Sequence, residues 1–77
     1  MTFLEKLRVL QRLHYLIKVK GTGPRDQLAR KLNISKASLS RYIGILEGLG
    51  ADVHFCSSRN SYCYRQSFVL NLEGLIF

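Results

Sequence analysis

The central stretch of the chain, residues 28–43, reads Leu28-Ala29-Arg30-Lys31-Leu32-Asn33-Ile34-Ser35-Lys36-Ala37-Ser38-Leu39-Ser40-Arg41-Tyr42-Ile43. Its beginning has the apolar spacing of a short helix, which we predict over about residues 24–31 because Pro24 suits a first helical position. Asn33 accepts a left-handed conformation better than most residues, and Ser35 is a favourable N-cap. The stretch therefore predicts two short helices joined by a tight turn, the second over about residues 35–49.

A longer helix is predicted before this pair, over about residues 3–18. Thr2 followed by Glu5 is a capping-box pattern, which predicts a helix start close to the N-terminus. Apolar residues then recur at intervals of three and four, at Phe3, Leu4, Leu7, Leu10, Leu13, Leu16 and Ile17. The segment Gly21-Thr22-Gly23 interrupts the pattern, so a short loop is expected between the first two helices.

The third helix is expected to end at Gly50. Its predicted buried stripe comprises Leu39, Ile43, Leu46 and Leu49. Beyond Gly50 the apolar period changes to two, with Val53 and Phe55 on one side of a strand, followed by a polar turn cluster and a second strand. This pattern predicts a β-hairpin over about residues 52–66. The chain is thus expected to have a mainly α fold with a small β-hairpin, as one domain over residues 1–77 with an apolar tail at 67–77.

The charge of the chain is strongly unbalanced. Twelve Lys and Arg residues against five Asp and Glu residues give a net charge of +7. Ten of the basic residues lie between Lys6 and Arg41, where Asp26 is the only acid, so that segment carries 10 − 1 = +9. Such an excess within consecutive helices favours a polyanionic partner such as nucleic acid.

Membrane and metal roles are not indicated by the sequence. The longest run without a charged residue is the seven residues 66–72, whereas a membrane-spanning helix needs about 20 apolar residues. A secretory signal is not indicated either, so we expect a cytoplasmic protein with reduced thiols. Cys56, Cys63 and His54 lack the paired spacing of a zinc site, and we predict no metal and no cofactor. Free buried thiols are favoured, although a disulfide or redox switch across the hairpin stays open.

Two short helices joined by such a turn are typical of a helix-turn-helix, whose second helix enters the major groove of DNA. The polar candidates for base and phosphate contacts on that helix are Lys36, Ser38, Ser40 and Arg41. Arg25, at the start of the second helix, is a candidate phosphate contact, and Tyr42 is a candidate contact to sugar-phosphate. Arg59 lies near the tip of the hairpin, or wing, where an arginine suits a minor groove or a phosphate.

Residues 28–43 resemble the winged helix-turn-helix of bacterial transcriptional regulators, in particular the N-terminal domain of WYL-type and DeoR-type regulators, to which the DNA-binding domain of the biotin operon repressor is similar. The resemblance covers about residues 3–66 and implies a three-helix winged fold that binds double-stranded DNA sequence-specifically. It implies DNA-facing positions at Lys36, Ala37, Ser38, Ser40 and Arg41. The chain departs from the family pattern at Asn33, where glycine is common, and at Tyr42, where an acid is common. Those regulators also usually continue into an effector-binding or catalytic domain, which the resemblance does not include.

Other functions remain open at this point. A winged fold that has lost DNA contact would serve as a protein-interaction module, and the same basic face would also suit RNA. No acid pair, phosphate-binding glycine loop or nucleophile with a base is evident, so we do not expect an enzyme. Seven of the last ten residues are apolar, which favours a homodimer formed through the tail over a tail that completes the domain's own core. These residues are Phe68, Val69, Leu70, Leu72, Leu75, Ile76 and Phe77.

Overall fold

The computed structural model of the chain describes residues 2–70. These residues form three α-helices and a two-stranded antiparallel hairpin, in the order α1 (Phe3–Lys18), α2 (Arg25–Leu32), α3 (Lys36–Gly48), β1 (Val53–Cys56) and β2 (Ser61–Tyr64). The prediction of a mainly α fold with a small hairpin is therefore confirmed. Within the described part of the chain, no helix has the length and apolar character that crossing a membrane requires.

Local hydrogen bonds explain where the helices begin and end. Thr2 Oγ1 accepts from Glu5 N at 3.2 Å at the start of α1, and Ser35 Oγ accepts from Ser38 N at 3.1 Å at the start of α3. Pro24 is extended, with ψ of 166°, so it precedes α2 as the N-cap and the helix begins at Arg25 instead. Asn33 ends α2 in the left-handed conformation with φ of 55°, which turns the chain toward α3.

The core lies where the three helices meet. Leu13 and Ile17 from α1 contact the cluster formed by α2 and α3, to which Leu28, Leu39 and Leu46 contribute fully buried side chains. Because these residues come from all the helices, the core fixes the orientation of α3 relative to α1 and α2.

One residue predicted for the buried stripe of α3 lies elsewhere. Leu49, the C-cap of α3, is 39% exposed. At about 100° per residue it lies about 60° around the axis from Leu46, toward the exposed Ile45, and the burial of α3 is provided by Leu39, Tyr42 and Leu46.

The hairpin is attached to α1 by an aromatic contact. Tyr64 of β2 places its hydroxyl 2.9 Å from His14 Nδ1, and Phe68 contacts both rings. Burial raises the pKa of Tyr64 to about 12, so the phenol stays protonated. Arg65 also donates to Asp52 Oδ1 at 2.9 Å, which joins the two ends of the hairpin.

The apolar tail lies mostly outside the described residues. Of the residues predicted to form it, the structure describes only 67–70. Phe68 and Leu70 are partly buried against the domain's own core, whereas Val69 is exposed. The tail-mediated homodimer stays a prediction.

Candidate nucleic-acid interface

The outer surface of α3 presents most of the predicted contact residues to solvent. Lys36, Ala37, Ser40 and Arg41 are exposed, and Ser38 is partly buried beside the cap residue Ser35. Seven residues make about two helical turns, so Gly44 lies below Ala37 and Gly48 below Arg41 on this side of the helix. Among residues 2–70, nothing lies within 4 Å of the position a Cβ would take at Gly44 or Gly48. The described part of the chain therefore leaves the outer surface of α3 uncovered at these two glycines, where the helix carries no side chain.

Residues of α2 line one flank of this surface. Arg25 donates to Ser40 Oγ and to Lys36 O, the latter at 3.2 Å, so its guanidinium is held against α3. Asp26 forms an ion pair with Lys36 at 2.8 Å, with both side chains more than half exposed. The Lys36 ammonium holds the pKa of Asp26 below its usual value, mainly through their hydrogen bond. Since the pair is exposed, water and salt screen it, and Lys36 is free to exchange Asp26 for another anion.

The opposite flank is formed by the beginning of α1. Lys6 lies with Ser38, Arg41, Tyr42 and Ile45 around a cleft of about 290 Å³. The ammonium of Lys6 thus joins Arg41 on the same side of the molecule. Sequence reasoning did not single out Lys6, because its proximity to Arg41 depends on how α1 packs on α3, which spacing within α1 does not reveal.

Tyr42 does not belong to the outer surface. Its side chain is 6% exposed and is part of the hydrophobic core, since the residue follows Arg41 by about 100° around the helix and turns toward α1 and α2. The prediction that Tyr42 contacts sugar-phosphate is corrected on this ground.

The wing carries the last predicted contact residue. Arg59 is exposed in the turn between β1 and β2, where its N–H donates to Cys56 O at 3.2 Å and the following Asn60 adopts φ of 52°. The base of this turn is fixed to the loop between α1 and α2, because Ser61 Oγ accepts from Thr22 N and lies 3.0 Å from Thr22 Oγ1. Sequence reasoning gave Thr22 and Ser61 no role, since nothing local distinguishes them from ordinary loop residues.

The cysteines of the hairpin are free thiols. The strand register pairs Cys63 with His54 and Cys56 with Ser61, so the pair Phe55–Tyr62 separates the two cysteines and they are not directly opposite. Burial raises the pKa of the Cys63 thiol, whereas a hydrogen bond with Ser58 lowers that of Cys56. Within residues 2–70, no three His, Cys, Asp or Glu side chains are grouped as metal ligands would be.

Comparison with known protein families identifies the class. The family model described as HTH domain, where HTH stands for helix-turn-helix, matches residues 8–61, which is more than half of the chain. The chain therefore belongs to the HTH domain family, and the winged helix-turn-helix predicted from the sequence is confirmed by this match together with the three helices and the hairpin. Comparison with curated proteins and with solved structures gave no match.

Membership of this family has a functional meaning. HTH domains are DNA-binding modules of transcriptional regulators. The chain is accordingly a DNA-binding domain of the winged helix-turn-helix kind.

Proposed function

We propose that the protein binds double-stranded DNA sequence-specifically as a transcriptional regulator, with the outer surface of α3 in the major groove. The observation that carries the proposal is the exposed surface around Ala37, Ser40 and Arg41, with cationic side chains on both of its flanks. A major groove about 12 Å wide admits one α-helix when its outward side chains are short enough for close approach. Alanine, serine and glycine on this surface satisfy that condition.

The side chains of this surface divide into base-reading and phosphate-binding groups. Arg41 is exposed and its guanidinium suits the two acceptors of a guanine, O6 and N7. Lys6, Lys36 and Arg25 lie on the flanks, where phosphates run along the edges of a groove. Lys36 would leave Asp26 for a phosphate, and Arg25, which contacts α3 already, would need little reorganisation.

The wing adds a second point of contact in this proposal. Arg59, exposed in the turn, is placed to meet a phosphate or the neighbouring minor groove when α3 occupies the major groove. Binding of DNA also requires that the protein is present in the compartment that holds the DNA, and we expect from the sequence that this is the cytoplasm.

A homodimer would double this interface. Two copies of α3 separated by about 34 Å would read half-sites one helical turn apart, and the exposed Val69 supports an intermolecular role for the tail. Sedimentation velocity of the full chain across a hundredfold range of concentration tests this. A mass that stays at 8.8 kDa throughout contradicts the dimer.

Selection of duplexes from a random pool, followed by gel-shift titration of the enriched sequence, tests the proposed function. Arg41→Ala is expected to weaken binding to the selected duplex by about 1–3 kcal/mol, because it removes a base contact. Arg8→Ala is the matched control: it removes the same charge from an exposed position about 200° around α1 from Lys6.

Three results would contradict the proposal. Equal affinity of the two variants would show that Arg41 contributes only charge. Failure of the pool to converge on any sequence would exclude specific reading. Preference for single-stranded or duplex RNA of the same sequence would favour the RNA alternative.

A further inference from the structure

Two fully buried hydroxyl groups join the wing to the rest of the domain. Thr22, in the loop between α1 and α2, and Ser61, the first residue of β2, are 0% and 1% exposed. Their oxygens are 3.0 Å apart, and Ser61 Oγ also accepts from Thr22 N at 3.1 Å. Thr22 Oγ1 accepts from Tyr62 N at 2.8 Å. Each hydroxyl also has a carbonyl partner beside it, Gly23 O for Thr22 and Tyr62 O for Ser61.

The burial of these groups calls for a reason other than apolar packing. A buried hydroxyl costs free energy unless it is hydrogen-bonded, and a valine would fill the volume of Thr22 without that cost. The hydroxyls instead fix the relative orientation of the two chain segments that they join, because a fully hydrogen-bonded polar cluster allows only one arrangement of those segments. Here the two segments are the loop between α1 and α2 and strand β2, which follows the tip of the wing.

The cluster lies between the two groups that we propose contact DNA. On one side, Ser61 is two residues from Arg59, and only Asn60 lies between them. On the other side, Thr22 is three residues from Arg25, whose guanidinium contacts Ser40 and Lys36 of α3. The loop itself is held to α2, because Lys31 Nζ donates to Gly21 O at 2.8 Å. A continuous path of hydrogen bonds and short chain segments thus leads from the wing tip to the start of α3.

We infer that Thr22 and Ser61 are positioning residues for DNA recognition, whose hydroxyl pair fixes the wing relative to α3 so that Arg59 and α3 contact one duplex together. The inference rests on the proposed function. It assigns the two residues no contact with DNA, since both are buried. Without the hydroxyl pair, the hairpin keeps its strand pairing and its aromatic attachment to α1. The tip of the wing, however, is no longer held at a fixed position relative to α3.

A double-mutant cycle between Thr22 and Arg59 tests the inference, using the full chain and its selected duplex. In the native background, Arg59→Ala is expected to weaken binding about fivefold and to lower the slope of log affinity against log salt by about 1. In the Thr22→Val background, the same substitution should change affinity less than about twofold and leave the slope unaltered, since coupled residues are not additive. Thr22→Ser, which keeps the hydroxyl, should restore the native response.

The salt slope separates positioning from stability. A loss of stability alone lowers the folded fraction, which circular dichroism measures, but does not change the number of phosphates contacted by the folded protein. The same cycle is also run with Ser61→Ala in place of Thr22→Val, which provides a second background should Thr22→Val fail to fold. Ser61→Ala keeps the hydrogen bond from Tyr62 N to Thr22 Oγ1. Both cycles are run at a temperature where circular dichroism shows the variants to be folded.

The outcomes distinguish this inference from the proposed function. If Arg59→Ala has the same effect in the native and Thr22→Val or Ser61→Ala backgrounds, the wing does not depend on the hydroxyl pair and the inference is wrong. If Arg59→Ala has no effect in the native background while Arg41→Ala weakens binding, the inference is also wrong and reading by α3 stands. If neither arginine matters in the native background, the proposed function itself fails.

Discussion

Replacing Ser35 with alanine removes the cap of the helix that we propose reads DNA. Ser35 Oγ accepts from Ser38 N at 3.1 Å, and α3 has no acidic residue in its first turn to assist that bond. Loss of a serine N-cap costs about 1 kcal/mol, within a range of about 0.5–2. For a domain of this size, about 1 kcal/mol lowers Tm by about 4–8 °C. Urea or thermal unfolding followed by circular dichroism measures this change.

The same substitution should also weaken DNA binding, because the uncapped turn carries Lys36 and Ala37. If the first turn must be re-formed on DNA, a cost of about 1 kcal/mol corresponds to about a fivefold loss of affinity. Fluorescence anisotropy with the selected duplex, at a temperature where the variant is fully folded, gives the affinity.

Ile17→Val is the matched control for this experiment. Ile17 is 1% exposed in the core of α1, and loss of one methylene there costs about 0.5–1.5 kcal/mol. The control is thus destabilised to a similar extent but keeps the first turn of α3, and its affinity should stay within about twofold of native. If both variants lose affinity equally, stability alone explains the effect. If Ser35→Ala binds as tightly as the native chain, the first turn of α3 is not part of the interface.

The structure makes further predictions. Gly44→Ala should stabilise the domain by about 0.5–1 kcal/mol, because alanine has a higher helix propensity than glycine and open space surrounds the new methyl group. Gly50→Ala should destabilise it, because Gly50 has φ of 108°, and urea unfolding measures both. Asp26→Asn should tighten DNA binding at low salt by releasing Lys36, an advantage that gel shifts should show shrinking at high salt. Burial, assisted by a nearby lysine, lowers the pKa of His14, so the folded state favours the neutral ring. The stability that this provides is complete above the unfolded pKa of about 6.5 and is lost as pH falls below it. The urea midpoint should therefore decrease from pH 7.5 to 5.5, and a rise over that interval would contradict the role of His14.

Local signals in the sequence were sufficient for the elements of the fold. Ser35 and Asn33 are found at the cap positions that their chemistry indicates, and the change of period after Gly50 marks the start of the hairpin. Pro24 shows the limit of such signals, since its fixed φ suits both the N-cap and the first helical position, and only its ψ separates them.

The candidate site was less predictable, because it depends on contacts between distant residues. Exposure of Arg41 followed from the helical period, whereas Tyr42 was named as a candidate sugar-phosphate contact although the same period turns it inward. The proximity of Lys6 to Arg41 and the ion pair of Asp26 with Lys36 arise from helix packing. The contact of Thr22 with Ser61 spans 39 positions, and only a folded chain reveals it.

Titration of the ¹⁵N-labelled chain with the selected duplex, followed by the backbone amide resonances, tests the central claim most directly. We expect the largest shifts at residues 35–41 on α3, with a second group in the wing turn around Arg59. The amides on the outer side of α1 around Arg8 and Tyr15 should be nearly unchanged. Shifts confined to that side of α1, with residues 35–41 unaffected, would contradict recognition of DNA through α3.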